Sequence, residues 1–417
     1  MAKVITTELQ HSGASGANIT LDSSKNVTCE NNLQVDGNIT VTGTLPADKL
    51  TGSLPAISGA SLTGVTDTLS FRRLNINGAM NVAQRATSHT ITGNGGSQND
   101  YRVVDRYKQQ TRSDANWTYS QESDGPTGFA NCFKALCTQA DSAIAANVYE
   151  QFEYHFEGQD VQQLAKGTAA AKQFTVSFWV KSNCAGTYIL EAIDEDNSRI
   201  CCKTYTVPGN TNWNQFTLTF PADTTGALGD DTGASLVLNW WTGAGSDKSS
   251  GTLQTTWGSK TEANRAVGQV QLGGTVNNYW QITGIQVEVG DTATDFEHRP
   301  YSYELARCQR YCHVLGEQAY SVFSQGTISG STNFNGLLNL PQTMRSIPSI
   351  SASGTTRVWD AASSTNTSST GMQTNESTKS GVWLNHAASG ASFTTGNSAM
   401  WSAYNDSSAR VVLSAEL

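Results

Sequence analysis

Between Tyr279 and Cys312 the chain changes its hydrophobic period once, and that change limits the folds open to it. In YWQITGIQVEV, Ile285, Val287 and Val289 fall on one side while Gln286 and Glu288 fall on the other. That is the period-2 pattern of a strand with one face on a core. Gly290-Asp291 and then Arg299-Pro300 interrupt the run. From Tyr303 onward, Glu304, Leu305, Cys308, Tyr311 and Cys312 recur at three- and four-residue spacings, a helical stripe. A strand that leaves a sandwich through a proline into a short helix joins two modules. The expectation is a β domain over 67–300, a connector helix over 301–316 and a β-rich tip over 317–417.

The composition supports an all-β chain. Charged residues make up 15% of the sequence, against roughly a quarter in ordinary domains. Gly, Ser, Thr and Asn fill the difference, and they make poor helices but good turns and strand faces. The net charge is −9 and no basic cluster exceeds Arg72-Arg73, so the positive footprint that nucleic-acid binding needs is not there. No apolar run approaches the length of a membrane span. The opening MAKVITTELQ lacks the apolar centre of an export signal, so assembly in a cytoplasm is expected. Eight scattered cysteines without a Cys-x-x-Cys pair read as buried thiols. Cys308, Cys312 and His313 share the expected helix and would cap a metal, with no fourth ligand in view.

Residues 1–66 have no core of their own. Ile19-Leu21, Val27-Cys29, Leu33-Val35 and Ile39-Val41 are short alternating runs. A nine-residue repeat follows, Thr42-Gly43-Thr44-Leu45-Pro46-Ala47 and Thr51-Gly52-Ser53-Leu54-Pro55-Ala56, with an echo at Leu62-Thr63-Gly64-Val65. One aliphatic every few residues cannot offset the ordering cost within one chain. Copies wound about a common axis would pool them into a thin core, so this stretch reads as the shaft of a homotrimer. A flexible linker is the plain alternative, although a linker does not need regular aliphatics.

Within 67–300, strands stand out at Phe174–Val180, Tyr188–Ala192, Phe216–Phe220, Leu236–Trp240 and Ile282–Ile285, separated by turn clusters such as Pro208-Gly209-Asn210. Many strands without βαβ alternation indicate a two-sheet sandwich. The Tyr279–Cys312 segment closely resembles one that ends a jelly-roll domain in tailed-bacteriophage fibre and receptor-binding proteins. The entry from Arg72 to Arg85, followed by YRVVDRYK at Tyr101–Lys108, is similar to the opening of phage fibre domains, with Tyr107 where Trp is usual. FTVSFWVKS, GTYILEAID and WNQFTLTFP are similar to carbohydrate-binding-module jelly rolls, and the LPA-SGA-LTG phrasing resembles shafts of marine phage fibres.

No nucleophile elbow, phosphate loop, zinc helix or dinucleotide fingerprint is present, so no catalytic or cofactor residues are assigned. Asp194-Glu195-Asp196 reads as a hairpin turn, with Asp194, Asp196 and Asn197 as the alternative of a calcium site. Glu150, Glu153 and Glu157 would suit glycoside cleavage, but their alternation with Phe152, Tyr154 and Phe156 reads as the solvent face of a strand. Sugar sites place a flat aromatic under the C–H face and amides or carboxylates on the hydroxyls. Of ten tryptophans, Trp359, Trp383 and Trp401 carry polar neighbours, as does Tyr404, and one of Trp240-Trp241 must face outward if extended. Trp359, Trp383, Trp401, Tyr404 and Trp241 are therefore the candidate glycan residues, each with core packing as its alternative.

The resemblance implies a virion fibre assembled in the host cytoplasm. Its N-terminal segment would dock on the tail or an adaptor, and its distal module would meet a host surface glycan or protein. A capsid-attached fibre or decoration protein is the second reading, and a polysaccharide-cleaving tailspike the third.

Overall fold

A computed structural model describes residues 8–9, 19–21, 27–29 and 72–417, apart from 363–364, 374–376 and 389–391. Side chains at 363–376 and 386–391 are outside the description. The chain divides into two compact units, Met1–Val65 and Thr66–Leu417. In the first, β1 (Glu8–Leu9), β2 (Ile19–Leu21) and β3 (Val27–Cys29) pair antiparallel in that order. The repeat at 42–56 lies outside the described residues.

The second unit opens with a two-sheet sandwich. The six-stranded sheet runs β13-β10-β16-β8-β7-β4. Its members are β4 (Ser88–Ile91), β7 (Asn116–Glu122), β8 (Cys132–Gln139), β10 (Phe174–Ser182), β13 (Asn214–Phe220) and β16 (Tyr279–Val289). The seven-stranded sheet runs β15-β12-β11-β14-β9-β6-β5. It comprises β5 (Gln98–Asp100), β6 (Tyr107–Arg112), β9 (Tyr149–Glu157), β11 (Gly186–Asp194), β12 (Arg199–Val207), β14 (Ala234–Ala244) and β15 (Gly258–Ser259). Alternation decides which side chains fill the space between sheets. Phe152, Tyr154 and Phe156 of β9 stand opposite Trp240, Leu238 and Leu236 of β14, and all six join Phe178, Val180 and Ile282 in one core. The sandwich expected from the sequence is present.

The segment before β4 wraps the end of this core. Leu74 N donates to Val287 O and Ile285 N to Gly78 O. The fully buried Asn75 brackets the same strand by donating to Ile285 O and accepting from Val287 N. Position 78 must be glycine, because a Cβ there would sit 2.0 Å from the Ile285 carbonyl oxygen.

The connector is shorter than the stripe suggested. Helix α2 spans Tyr301–Gln309, and Cys312–Gly316 is a strand, β17, not the continuation of a helix over 301–316. Residues 312–316 instead take their backbone partners from β25 (Arg410–Ser414). β20 (Ser349–Ser353) completes a three-stranded sheet in the order β17-β25-β20. Beyond it, β18 (Val322–Gly330), β19 (Asn333–Asn339), β21 (Thr356–Asp360), β22 (Thr365–Gln373), β23 (Gly381–Ala388) and β24 (Ser398–Ala403) form a closed barrel, β18-β19-β23-β22-β21-β24. Phe323, Phe334, Val358, Leu384 and Trp401 fill it, and the same core takes in Val411 and Leu413 of β25.

Ion pairs and backbone bonds fasten the C-terminal tail to the sandwich. Glu416 receives both Arg85 and the fully buried Arg106, and the Arg106 guanidinium lies 3.4 Å from the Tyr311 ring centroid. Arg345 reaches the carbonyls of Thr232, Ala415 and Glu416 at 2.8, 2.7 and 2.7 Å. Among the described residues seven cysteines are free and six of those are buried, and no helix is long and apolar enough to cross a membrane.

Candidate functional site

The outer face of the seven-stranded sheet carries two chemistries. Towards β12 it is apolar: Ile189, Ile193, Ile200, Cys202, Val237 and Trp241 form a second core. The segment from α1 (Ser246–Ser249) to Val270 covers it, with Ala266 packed in. Towards β6 the face stays open as a groove of about 590 Å³. Lys108 and Gln110 of β6, Tyr149, Gln151, Glu153 and His155 of β9 and Val237 of β14 line it. Lys248, Lys260 and Arg265 of the covering segment also line it, as do Glu195 and Leu417.

Strand register sets this outer face in rows, whose members on β6 and β9 line the groove while Asn239, Glu191 and Trp241 are fully buried beside it. Lys108, Glu153, Asn239 and Glu191 stand directly opposite one another across β6, β9, β14 and β11. One step along, His155, Val237 and Ile193 form a largely apolar row. In the other direction lie Gln110, Gln151 and Trp241. A polar stripe flanked by C–H surface suits a ligand that alternates hydroxyls with apolar faces.

The polar groups are held before any ligand arrives. Glu153 accepts from the Gln110 amide and pairs with His155 Nε2 at 2.9 Å. Burial would raise its pKa, but His155, Lys108 and Gln110 hold it below the ordinary carboxylate range. It is therefore an acceptor at neutral pH. Glu191 is fully buried and saturated: Arg265 grips it through Nε and Nη2 at 2.8 and 3.0 Å, and Asn239 and Trp241 Nε1 each donate at 3.0 Å. Two acceptor or tautomer-dependent atoms on this face stay without a protein partner, Asn239 Oδ1 and His155 Nδ1.

The structure revises several sequence expectations. Glu150, Glu153 and Glu157 do not form a solvent face, for all three are buried. Period 2 puts Glu150 on the core side with Phe152, where no donor reaches its oxygens within bonding geometry. Burial pushes its pKa up to about 7, softened by nearby Ser113, Gly273 and Trp117. Glu157 is capped by Arg310 at 2.8 and 2.7 Å and by the Tyr311 hydroxyl. Asp194, Asp196 and Asn197 do not converge as a calcium site: Asp194 pairs with Lys166, Asp196 accepts from Gly229 N, and the Asn197 amide donates to Asp194. They build the turn between β11 and β12. Among the described residues no group of three His, Cys, Asp or Glu side chains could hold a metal ion.

Trp240 and Trp241 are both fully buried, so neither offers a ring to a ligand. Trp240 fills the sandwich core, and Trp241 lies under the covering segment with the Arg265 guanidinium 5.1 Å from its ring. Trp401 is also fully buried, edge-on to Phe323 inside the barrel. Trp383 and Tyr404 are exposed and Trp359 is half-buried. Trp383, Leu337, Gln325, Met400 and Trp359 are in direct register across β23, β19, β18, β24 and β21. That makes an outward belt about 19 Å long at the usual strand spacing. Tyr404 lies outside this belt, with Tyr320 and the Arg357 guanidinium. Of the glutamates that the sequence marked as the polar side of β9, only Glu153 lies in the groove; its neighbours there, Gln151 and His155, were not singled out. That a groove lay over this face was not legible, because the covering segment comes from residues about a hundred positions later.

Neither a family model nor a curated protein sequence matches the chain. Solved structures similar to it include the enzymatically active domain of tailspike protein 4 from bacteriophage CBA120, at 10% identity and a TM-score of 0.28, covering 52% of this chain and 21% of that one. A family 4 carbohydrate-binding module is similar at 11% identity and a TM-score of 0.25, covering 52% of this chain and 99% of that one. A family 11 carbohydrate-binding module from Clostridium thermocellum, solved with a mixed-linked tetrasaccharide, is similar at 10% identity and a TM-score of 0.26, with 48% and 96% covered. At these scores the likeness carries no argument about ligand or activity.

Proposed function

We propose that this chain is a glycan-binding component of a tailed-bacteriophage attachment fibre, and that the groove over β6, β9 and β14 is its sugar site. The observation that carries the reading is the set of polar side chains that β6 and β9 present in register to the groove, Lys108 opposite Glu153 and Gln110 opposite Gln151, with Glu153 held by Gln110 and His155. Sugar hydroxyls act as both donor and acceptor. Glu153 accepts from them, Gln151 and Gln110 do both, and Lys108 donates. Val237, Ile193 and the Tyr149 ring offer C–H and π surface beside that set. Fixing the side chains in advance lowers the entropy lost on binding. Single contacts of this kind are weak, and several copies of the chain on one particle multiply them into avidity.

The phage assignment rests on the sequence resemblance at Arg72–Lys108 and Tyr279–Cys312, and with it go the homotrimer, the tail location and the N-terminal docking. Adhesion without cleavage is part of the proposal. Purified chain added to host cells should compete with the particle for attachment. It should also be retained on host polysaccharide without shortening it. Free attachment at saturating protein would count against adhesion, and shortened chains would favour a tailspike.

A second receptor-facing surface is favoured by one observation, the in-register belt of Trp383, Leu337, Gln325, Met400 and Trp359 around the barrel. Host attachment by a Trp383→Ala variant tests it independently of the groove.

A further inference from the structure

At the turn between β11 and β12, the Lys166 ammonium is enclosed by oxygen. It pairs with Asp194 and, at 2.9 Å, with Asp223, and it donates to the carbonyls of Thr225 and Gly226 at 3.0 Å each. Lys166 and both carboxylates are buried, at 5%, 0% and 6% side-chain exposure. The Trp257 ring lies 5.0 Å from Nζ. An ammonium has three protons, yet four acceptor oxygens face it. Two carboxylates and two backbone carbonyls converging on one point are the hard-oxygen set that a divalent cation takes, with water completing the shell.

The surrounding chain is shaped to hold that cage. Lys166 follows Ala165, whose φ is +48°, and Gly167 N donates to Asp223 O at 2.9 Å. A Cβ at Gly167 would meet Ala227 N at 2.4 Å, so the 165–167 turn is pressed onto the 223–227 loop. Arg199 fixes Asp223 from outside at 2.8 and 3.0 Å, and Asn197 fixes Asp194. The oxygens are thus positioned by partners other than Lys166.

We propose that Lys166 is a tethered cation occupying a divalent-cation site, so that three loops are tied without metal, and that removing its ammonium converts the cage into a calcium site. The ligands would be the Asp194 and Asp223 carboxylates and the Thr225 and Gly226 carbonyls. Glu195 and Asp196 take no part.

The test uses the full chain in three forms: native, Lys166→Ala, which empties the cage, and Lys166→Met, which fills it without charge. Melting temperature is measured in chelator and in millimolar calcium. The native protein should not respond. Lys166→Ala should melt lower in chelator and recover by about 5 °C or more in calcium. Lys166→Met should be destabilised without recovery. A calcium response in the native chain overturns the proposal, as does a Lys166→Ala variant that does not recover. If Lys166→Ala does not fold in chelator, refolding with and without calcium replaces melting. Recovery only with calcium supports the proposal, and recovery in neither condition, while Lys166→Met refolds, overturns it.

Discussion

At the residue scale the sandwich tolerates few changes around Glu150. Its carboxyl sits between Gly243 and Gly273, where an added Cβ would lie 2.3 and 2.5 Å from its oxygens. Gly273→Ala should therefore lower stability by about 1–3 kcal/mol, read by denaturant unfolding. The carboxyl itself titrates from a folded value near 7 against an ordinary 4.5. A raised folded pKa contributes stability that is full below the unfolded value and is lost as pH rises through the folded one. Stability should thus decline between about pH 4.5 and 7. Glu150→Gln should flatten that slope and gain about 1–3 kcal/mol at neutral pH. An unchanged slope in this variant would mean that Glu150 is ionised and paired in solution. In contrast, Arg265→Ala strips Glu191 of its bidentate partner while leaving that carboxylate fully buried. A loss of about 3–5 kcal/mol is expected by thermal or chemical unfolding.

At the element scale, the short helix and the tail do the joining. Arg345 donates to three carbonyls, one in the sandwich and two in the tail. Arg345→Ala should cost about 2–4 kcal/mol, and amide exchange should rise first in β17 and β25, before the sandwich strands respond. Uniform exchange across both modules would show that the tail does not govern that end. The strands of the sandwich were legible because alternation is local: Phe174–Val180 and Leu236–Trp240 needed only their own sequence. Helical spacing held through Leu305, Cys308 and Tyr311, which share one cluster, and misled from Cys312 onward, where pairing with a strand some hundred residues away sets the backbone. The same cause hid the groove. On β9 the sequence marked Glu153, but Lys248 and Arg265 reach the groove only through the fold, and Trp241 and Trp401 were buried by contacts no local pattern carries. Cross-strand register likewise assembled Trp383 and Trp359 into one belt from separate stretches.

At the scale of the whole molecule, the claim is a scaffold that carries a polar sugar groove on one sheet, presented in several copies. The shaft reading of residues 1–66 predicts that sedimentation of the full chain gives a mass of three chains, and a monomer would remove that reading. The groove is tested most directly by titration calorimetry of host-surface oligosaccharides against the native chain and the Gln151→Ala, Glu153→Ala and Trp383→Ala variants. Loss of Gln151 or Glu153 is expected to weaken binding at least tenfold, about 1.4 kcal/mol, with folding retained by circular dichroism and Trp383→Ala binding as the native chain does. Native-like affinity in both groove variants, with binding lost only in Trp383→Ala, would contradict the assignment and move the site to the barrel.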